Sequence, residues 1–154
     1  MERRRCFIKI SSHILYEEDI IKLIRTISKD HFVVICVEGK TQIDQAFAEK
    51  GFPQYDFSSL NRETKSFEER QSARNILEIN QMKMQKLLRA ENIHANVIIP
   101  IKDCGTILCH PNGDQFVFDF YPDFDRLFVI TTKDRVNKKR VFFENYPKVK
   151  VLGI

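Results

Sequence analysis

Short continuous apolar runs of strand length, separated by segments of helical pattern, constrain the fold of this chain most. His31–Val37 reads His-Phe-Val-Val-Ile-Cys-Val, and Arg126–Thr132 reads Arg-Leu-Phe-Val-Ile-Thr-Thr. Because apolar and polar residues do not alternate in these runs, both faces of each strand are expected to be buried, as in a parallel sheet covered by helices. Three further β-like segments are Arg5–Ile10, Ala95–Ile101 and Val149–Leu152.

Helical patterns separate these runs. Apolar residues recur at helical spacing within Glu17–Ser28. Thr41 is a candidate N-cap for a helix over Gln42–Lys50, and Gly51 is a candidate stop. Ser66 and Glu69 have the spacing of a capping box, which predicts the start of a long helix reaching Asn92.

The second half continues with shorter elements. A short strand is predicted within Cys104–His110, a helix over Gln115–Phe120 that Pro122 limits, and a further helix within Arg135–Tyr146. Phe52–Thr64 is predicted to be a loop.

Strands that alternate with helices predict an α/β fold, a three-layer αβα sandwich with a mostly parallel central sheet. A chain of 154 residues corresponds to one ordinary domain, and we expect a single domain over residues 1–154.

Composition and charge exclude several classes of protein. No apolar run approaches the ~18–20 residues of a membrane span, and the basic start leads into a segment too short and too charged for a signal peptide, so we expect a cytoplasmic protein without a membrane partner. The net charge is +4, but the basic clusters Arg3–Arg5 and Lys138–Arg140 are not interleaved with aromatic residues. This favours solvated faces over nucleic-acid binding.

The cysteines do not predict a metal site. Cys6 and Cys36 lie in apolar runs, where cysteine usually behaves as a small hydrophobic residue. Cys104, Cys109 and His110 lack the matching second pair that a zinc site needs, so no metal ligand is predicted.

Four loops follow predicted strands, and these are the candidate site loops because ligands of open α/β sheets bind at the carboxyl ends of the strands. They contain Lys9 with Ser11 and Ser12, then residues 38–41, then residues 110–114, then residues 131–135.

Lys9 and Asp114 each have two interpretations. Lys9 lies one step before a polar turn and is either an edge-strand lysine that points to solvent or a cation aimed at a phosphate. Asp114 lies at a predicted helix start and either caps free N–H groups or orients lysines or a metal ion around a transferring phosphoryl group.

With these loops placed, the chain resembles the amino acid kinase family, which includes acetylglutamate, aspartate, uridylate and isopentenyl phosphate kinases. The first strand of that family ends in Lys-x-Gly-Gly-Ser, and residues 9–13 here read Lys-Ile-Ser-Ser-His. Its second strand leads to a Gly-Gly-Gly turn and a helix start with Ile-Asn, and residues 38–44 read Glu-Gly-Lys-Thr-Gln-Ile-Asp.

Three later motifs follow in the same order. The Gly-x-Arg-x-Thr of acetylglutamate kinases is similar to Asn61-Arg62-Glu63-Thr64, the Asn-Ala-Asp motif to Asn112-Gly113-Asp114, and the Thr-Asp-x-x-Gly-Val turn to residues 131–136, Thr-Thr-Lys-Asp-Arg-Val. The resemblance covers nearly the whole chain and implies the N-terminal half of an amino-acid-kinase fold.

The resemblance implies roles for individual residues. Lys9 would stabilise a transferred phosphoryl group, and Asp114 would hold the lysines in position. Phosphate or nucleotide would contact Ser11, Ser12, Gly39, Thr131 and Asp134, and an anionic substrate would contact Lys40, Thr41, Arg62 and Asn112. ATP and Mg²⁺ would be the cofactors.

The chain also departs from the family pattern. Ser11 and Ser12 stand where the family has glycines, Glu38 adds a negative charge at the rim of a phosphate cradle, and Arg135 replaces a turn glycine. Family kinases continue into a region that supplies much of the ATP pocket and a second catalytic lysine. Lys133, Lys138 and Lys139 are alternatives for that lysine.

Two functional hypotheses follow from these features. The first is a non-catalytic or weakly active relative that binds a nucleotide or an acidic metabolite. The alternative is an ATP-dependent phosphotransferase, acting on a carboxylate or phosphate and completed by assembly into a homo-oligomer.

Overall fold

The fold is built on a parallel β-sheet with helices on both sides, which confirms the predicted α/β class. The structure is a computed structural model and describes residues 2–53, 61–64, 66–101, 109–111 and 113–154. The strands are β1 (Arg4–Ile10), β2 (His31–Val37), β3 (Asn61–Glu63), β4 (Ala95–Ile98), β5 (Cys109–Pro111), β6 (Arg126–Thr131) and β7 (Val149–Gly153). The helices are α1 (Glu18–Ser28), α2 (Lys40–Lys50), α3 (Phe67–Ala90), α4 (Gly113–Phe120) and α5 (Val136–Phe142), with 3-10 turns at Tyr121–Asp123 and Lys133–Arg135.

The central sheet has the strand order β4-β2-β1-β6-β7, and all neighbouring strands in it are parallel. β1 is the middle strand, paired with β2 from Arg4 opposite His31 to Ile10 opposite Val37. After β1 the chain adds β2 and then β4 on one side. It then returns to the other side of β1, where it adds β6 and then β7. The boundary between β1 and β6 is therefore a topological switch point, where loops leave the sheet toward opposite faces and open a crevice at its carboxyl edge.

The two faces of the sheet carry different cores. On one face, α1 and α3 cover an apolar cluster that includes Ile8, Ile10, Ile35, Ile24 and Met84. On the other face, α4 and α5 cover a cluster rich in aromatic rings, whose members include Phe7, Cys36, Phe116, Val129 and Phe143. Side chains alternate along a strand, so the residues two steps beyond Phe7 and Val129 lie on this second face.

The short strands β3 and β5 pair antiparallel outside the central sheet, with Arg62 opposite His110. The prediction that Phe52–Thr64 is entirely a loop was therefore wrong for Asn61–Glu63. This segment is polar and has no apolar alternation, so its strand depends on a partner distant in sequence rather than on local propensity.

Several predicted boundaries shift. β4 ends at Ile98 rather than Ile101, and Pro100 lacks the N–H that a longer ladder would need. α2 begins at Lys40 because the Gly39 carbonyl accepts from the Ile43 N–H at 2.8 Å, so the prediction of Thr41 as N-cap was wrong.

Other local predictions are confirmed. Gly51 ends α2 in the left-handed conformation with φ of 69°. The capping box is present: the Ser66 hydroxyl accepts from the Glu69 N–H at 3.1 Å, and the Glu69 carboxylate accepts from the Ser66 N–H at 3.4 Å.

Cys6 and Cys36 are fully buried, as predicted for small hydrophobic residues. Burial raises the pKa of the Cys6 thiol to about 12, against a smaller opposing effect of Arg126, and burial likewise raises the pKa of Cys36. Within the described ranges, no group of His, Cys, Asp and Glu side chains is arranged to hold a metal ion, and no helix is long and apolar enough to cross a membrane. Cys104 and the side chains of Cys109 and His110 lie outside the described part.

Candidate functional site

Lys9 is buried at the carboxyl end of the middle strand, β1, and only 2% of it is exposed. Its ammonium lies 3.2 Å from a Glu38 carboxylate oxygen and 3.1 Å from Asp114 Oδ1. The alternative of an edge-strand lysine that points to solvent was therefore wrong, because β1 has neighbours on both sides and α4 covers this face. A buried ammonium is tolerated when carboxylates pair with it.

Asp114 lies in the first turn of α4, and its carboxylate contacts two lysines. Oδ1 contacts Lys9 and Oδ2 contacts the ammonium of Lys139, which projects from α5. Burial acts to raise the pKa of Asp114, but the charges of Lys9 and then Lys139 outweigh burial and hold this pKa below its ordinary value. The carboxylate is thus ionised at neutral pH and holds two cations at one point.

Glu38 follows β2 and completes the group. One of its oxygens contacts Lys9, and the other accepts a hydrogen bond from the Gly113 N–H at 3.0 Å. A Cβ at Gly113 would lie 2.5 Å from that Glu38 oxygen and 2.8 Å from Lys9 Cε. Glycine is needed at this position because any side chain would collide with the buried ion pair.

The four charged groups, which we call the lysine–carboxylate cluster, are Lys9, Lys139, Glu38 and Asp114. Two cations and two anions give the cluster a formal charge of zero. Burial acts to lower the pKa of Lys9, but Glu38 and Asp114 outweigh burial, and the net pKa is raised. For Lys139, burial and the nearby Lys9 charge lower the pKa more than Asp114 raises it. Lys139 is therefore the cation of the cluster that loses its proton more readily.

The loops after β1 and β2 are tied together by hydroxyl groups. Ser12 Oγ lies 2.9 Å from Thr41 Oγ1 and also accepts from the Thr41 N–H at 3.3 Å. The Ser12 hydroxyl thus occupies a free amide at the N-terminus of α2, where an anion would otherwise be favoured. His13 Nδ1 lies 3.3 Å from Thr41 Oγ1, which extends the network toward solvent.

Ser11 and Gly39 have structural partners. The Ser11 N–H donates to the Ile130 carbonyl at 3.0 Å and so extends the contact of β1 with β6. A Cβ at Gly39 would lie 2.8 Å from a Leu77 methyl carbon, so close packing of α3 requires glycine there. Gly39 therefore has a reason for its residue type that does not involve phosphate, and the Ser11 N–H already has a partner in the sheet.

Thr131 and Asp134 lie at the end of β6 and in the turn after it. Thr131 is fully buried, and its hydroxyl has no hydrogen-bond partner among the described residues. Asp134 is exposed, and a hydrogen bond from the Thr132 side chain lowers its pKa, with smaller effects of neighbours that include His13. This turn therefore lies beside the loop after β1, on the crevice side of the switch point.

Of the remaining predicted substrate contacts, Lys40 pairs within α2 rather than with the lysine–carboxylate cluster. The Lys40 ammonium lies 2.9 Å from an Asp44 oxygen, one turn along α2. The backbone of Arg62 lies in β3, but its side chain is outside the described part, as is Asn112.

Sequence reasoning missed two features of the site. Glu38 was expected at a cradle rim, whereas it is the partner of Lys9. Three lysines were equal alternatives for a second cation, and the structure brings Lys139 to Asp114. Helical spacing offers a signal for the second choice, since Lys139 and Phe143 are four residues apart on one helical face and Phe143 is in the core.

No family model and no curated protein matches this chain. Among solved structures, it is similar to the N-acetylglutamate synthase from Neisseria gonorrhoeae in complex with coenzyme A and L-arginine, with 12% sequence identity and a TM-score of 0.46. The match covers 85% of this chain and 44% of that structure, so this chain spans less than half of its length. Similarity at this level supports no conclusion about activity or ligands.

Proposed function

We propose that this protein is an amino-acid-kinase-like, non-catalytic or weakly active protein that binds a nucleotide or an acidic metabolite at the crevice between β1 and β6. The observation that carries the proposal is the pair of lysines on one buried carboxylate at the switch point, Lys9 on Asp114 Oδ1 and Lys139 on Oδ2. Open α/β sheets bind ligands at this place in the fold, and ammonium groups are suited to anionic ligands.

The charge balance supports binding over turnover. Glu38 pairs with the Lys9 ammonium and accepts from the Gly113 N–H, and these are two donors that a transferring phosphoryl group would use. The Ser11 N–H and the Thr41 N–H also have protein partners. Preorganised donors supply most of the stabilisation in phosphoryl transfer, so a site whose donors are engaged is expected to transfer slowly.

The alternative, a phosphotransferase completed by a homo-oligomer, is favoured by one observation. Lys9 and Lys139 approach the same carboxylate, which is the arrangement that the family resemblance implies for two catalytic lysines and their orienting acid. In that reaction the bond from the γ-phosphorus of ATP to ADP breaks as a bond to an acceptor oxygen forms. Mg²⁺ would enter on the ATP phosphates, because Glu38 and Asp114 already pair with lysines.

Calorimetric titration with Mg-ATP and with ADP tests the proposal on the wild type and on Glu38→Gln, Asp114→Asn and Glu49→Gln. Glu38→Gln removes the negative charge beside Lys9, and we expect nucleotide binding to tighten roughly tenfold, equivalent to about 1.4 kcal/mol. Asp114→Asn removes the negative charge that Lys9 and Lys139 share and should weaken binding. Glu49→Gln is the matched control on the exposed surface of α2 and should bind like the wild type.

Each outcome decides between the hypotheses. If folded wild type and folded Glu38→Gln give no heat at millimolar nucleotide, nucleotide binding is contradicted. The same titration with aspartate and glutamate would then test binding of an acidic metabolite. ADP release by the wild type that depends on an acidic acceptor would favour the phosphotransferase. Binding without ADP release would favour the non-catalytic protein.

A further inference from the structure

A second concave site lies at the opposite edge of the sheet, where β2 and β4 begin and α3 ends. It is a cavity of about 340 Å³, within the usual range for small-ligand sites. Its polar lining consists of Arg3, His31, Gln85, Arg89, His94 and Asn96. β2 and β4 are parallel, so this amino edge is distant from the lysine–carboxylate cluster at the carboxyl edge.

The lining of this cavity is basic. Two guanidinium groups and two imidazoles border it, and no carboxylate is among the described residues that line it. Neither Arg3 nor Arg89 makes an ion pair with a described residue, whereas the nearby Arg25 is paired with Glu91. The cavity therefore has two guanidinium groups available to an anion from solvent.

His31 supplies an independent sign of a ligand. Both of its ring nitrogens are buried and lack a hydrogen-bond partner among the described residues. Burying a polar group without a partner is unfavourable, so a ligand oxygen that paired with this ring from the cavity would recover that cost. The Gln85 amide, by contrast, already has protein partners: it donates to the Ala95 carbonyl and accepts from the Val97 N–H.

We propose that this cavity binds a small phosphate-bearing ligand. Arginine side chains present planar pairs of N–H donors that match phosphate oxygens, and the imidazoles add donors at the cavity wall. The cavity size limits the ligand to a small molecule. This inference is independent of the proposed function, because it uses other residues at the other edge of the sheet.

Titration with inorganic phosphate and pyrophosphate at constant ionic strength tests the proposal. Arg89→Gln should weaken pyrophosphate binding at least tenfold. Arg89→Lys should weaken binding less, because lysine keeps the positive charge although it lacks the planar pair of N–H donors. Lys83→Gln removes the same charge from the exposed surface of the same helix, outside the cavity lining, and should bind like the wild type. Arg89 also lies in the last turn of α3, so thermal unfolding of each variant checks that the helix is intact.

Nuclear magnetic resonance gives a second readout. The ring-proton signals of His31, assigned with a His31→Gln variant, should shift on pyrophosphate addition in the wild type and in Asp114→Asn. Loss of pyrophosphate binding in Asp114→Asn with retention in Arg89→Gln would assign the anion to the crevice and overturn the inference.

Competing ligands are outcomes of the same test. Equal affinity for citrate and pyrophosphate would overturn the phosphate assignment. A single-stranded oligonucleotide that binds more tightly than pyrophosphate would overturn the small-molecule assignment if the salt dependence of its affinity corresponds to contacts with several phosphates. Specific binding is rarely weaker than a Kd of about 10 mM. If folded wild type does not bind pyrophosphate at roughly that concentration, the whole proposal is overturned.

Discussion

The two faces of the central sheet are made by the same strands, yet they bury different chemistry. The face under α1 and α3 is apolar along β1, with Cys6, Ile8 and Ile10 all fully buried. The face under α4 and α5 begins with Phe7 and ends with the ammonium of Lys9. Side-chain alternation sends consecutive residues to opposite faces, so one strand serves both environments.

The difference shows which part of the core serves stability alone. Apolar burial stabilises without requiring specific partners. The three ion pairs of the cluster must instead recover the cost of leaving water, and buried ion pairs often contribute little net stability. A cluster that stability does not require, placed at a switch point, is consistent with retention for ligand binding. Four predictions test this contrast between the faces.

The largest expected effect comes from unpairing the cluster. Lys9→Met leaves the Glu38 carboxylate buried without its cation and should lower the free energy of unfolding by ~3–5 kcal/mol. The triple variant Lys9→Met, Glu38→Gln, Asp114→Asn removes the charges together and should lose less than the single variant. Urea unfolding measures both. A single-variant loss below about 1 kcal/mol, or a larger loss in the triple variant, would contradict the cost assigned to buried charge.

The next effect tests the fit of Glu38 against Gly113. Gly113→Ala places a methyl group against the Glu38 carboxylate and should cost ~1–3 kcal/mol of unfolding free energy. In a Glu38→Gly background that group is absent, and the penalty should shrink, giving a coupling of roughly 1–2 kcal/mol in a double-mutant cycle. Additive losses of unfolding free energy would show that the two positions do not interact.

The loss of folding stability in acid should depend mainly on the sheet face under α4 and α5, which carries Asp114. The folded-state pKa of Asp114 is lowered, so its stabilising contribution is complete above its unfolded pKa and is lost as pH falls through the folded value. Between about pH 5 and about pH 2.5, wild-type stability should fall more steeply than that of Asp114→Asn. Asp123→Asn, an exposed change in the 3-10 turn directly after α4, should follow the wild type. Identical slopes for Asp114→Asn and the wild type would exclude a lowered Asp114 pKa.

The smallest effect belongs to the apolar face. Ile8→Val removes one buried methylene beneath α1 and α3 and should cost ~0.5–1.5 kcal/mol of unfolding free energy. Nucleotide titration should be unchanged, because Ile8 points away from the cluster. A large change in nucleotide affinity with little loss of stability would mean that the faces are not separable.

Much of the fold was predictable because local burial patterns specify local structure. The continuous apolar runs predicted β2 and β6, and the capping box predicted the start of α3. Helical spacing predicted most of α1. The exceptions are informative: the strand Asn61–Glu63 has no such pattern, and its pairing partner is β5.

The candidate site was predictable only in part. Lys9 and Asp114 were identified because each is a charged residue at the end of an apolar segment or the start of a helix. The role of Glu38 was not, because its contact with Gly113 joins residues 75 positions apart. Arg62 and Asn112 stay predictions, since the Arg62 side chain and Asn112 are outside the described part.

The sequence by itself determined most of the elements, their order and the charged residues at their ends, because periodicity and capping act over a few neighbouring residues. Only the tertiary structure decided the strand order, and with it the switch point between β1 and β6. It brought Lys139, rather than Lys133 or Lys138, to Asp114 and made Glu38 a partner of Lys9. These choices depend on which distant groups share a buried space, where an unpaired charge is costly and a paired one is tolerated.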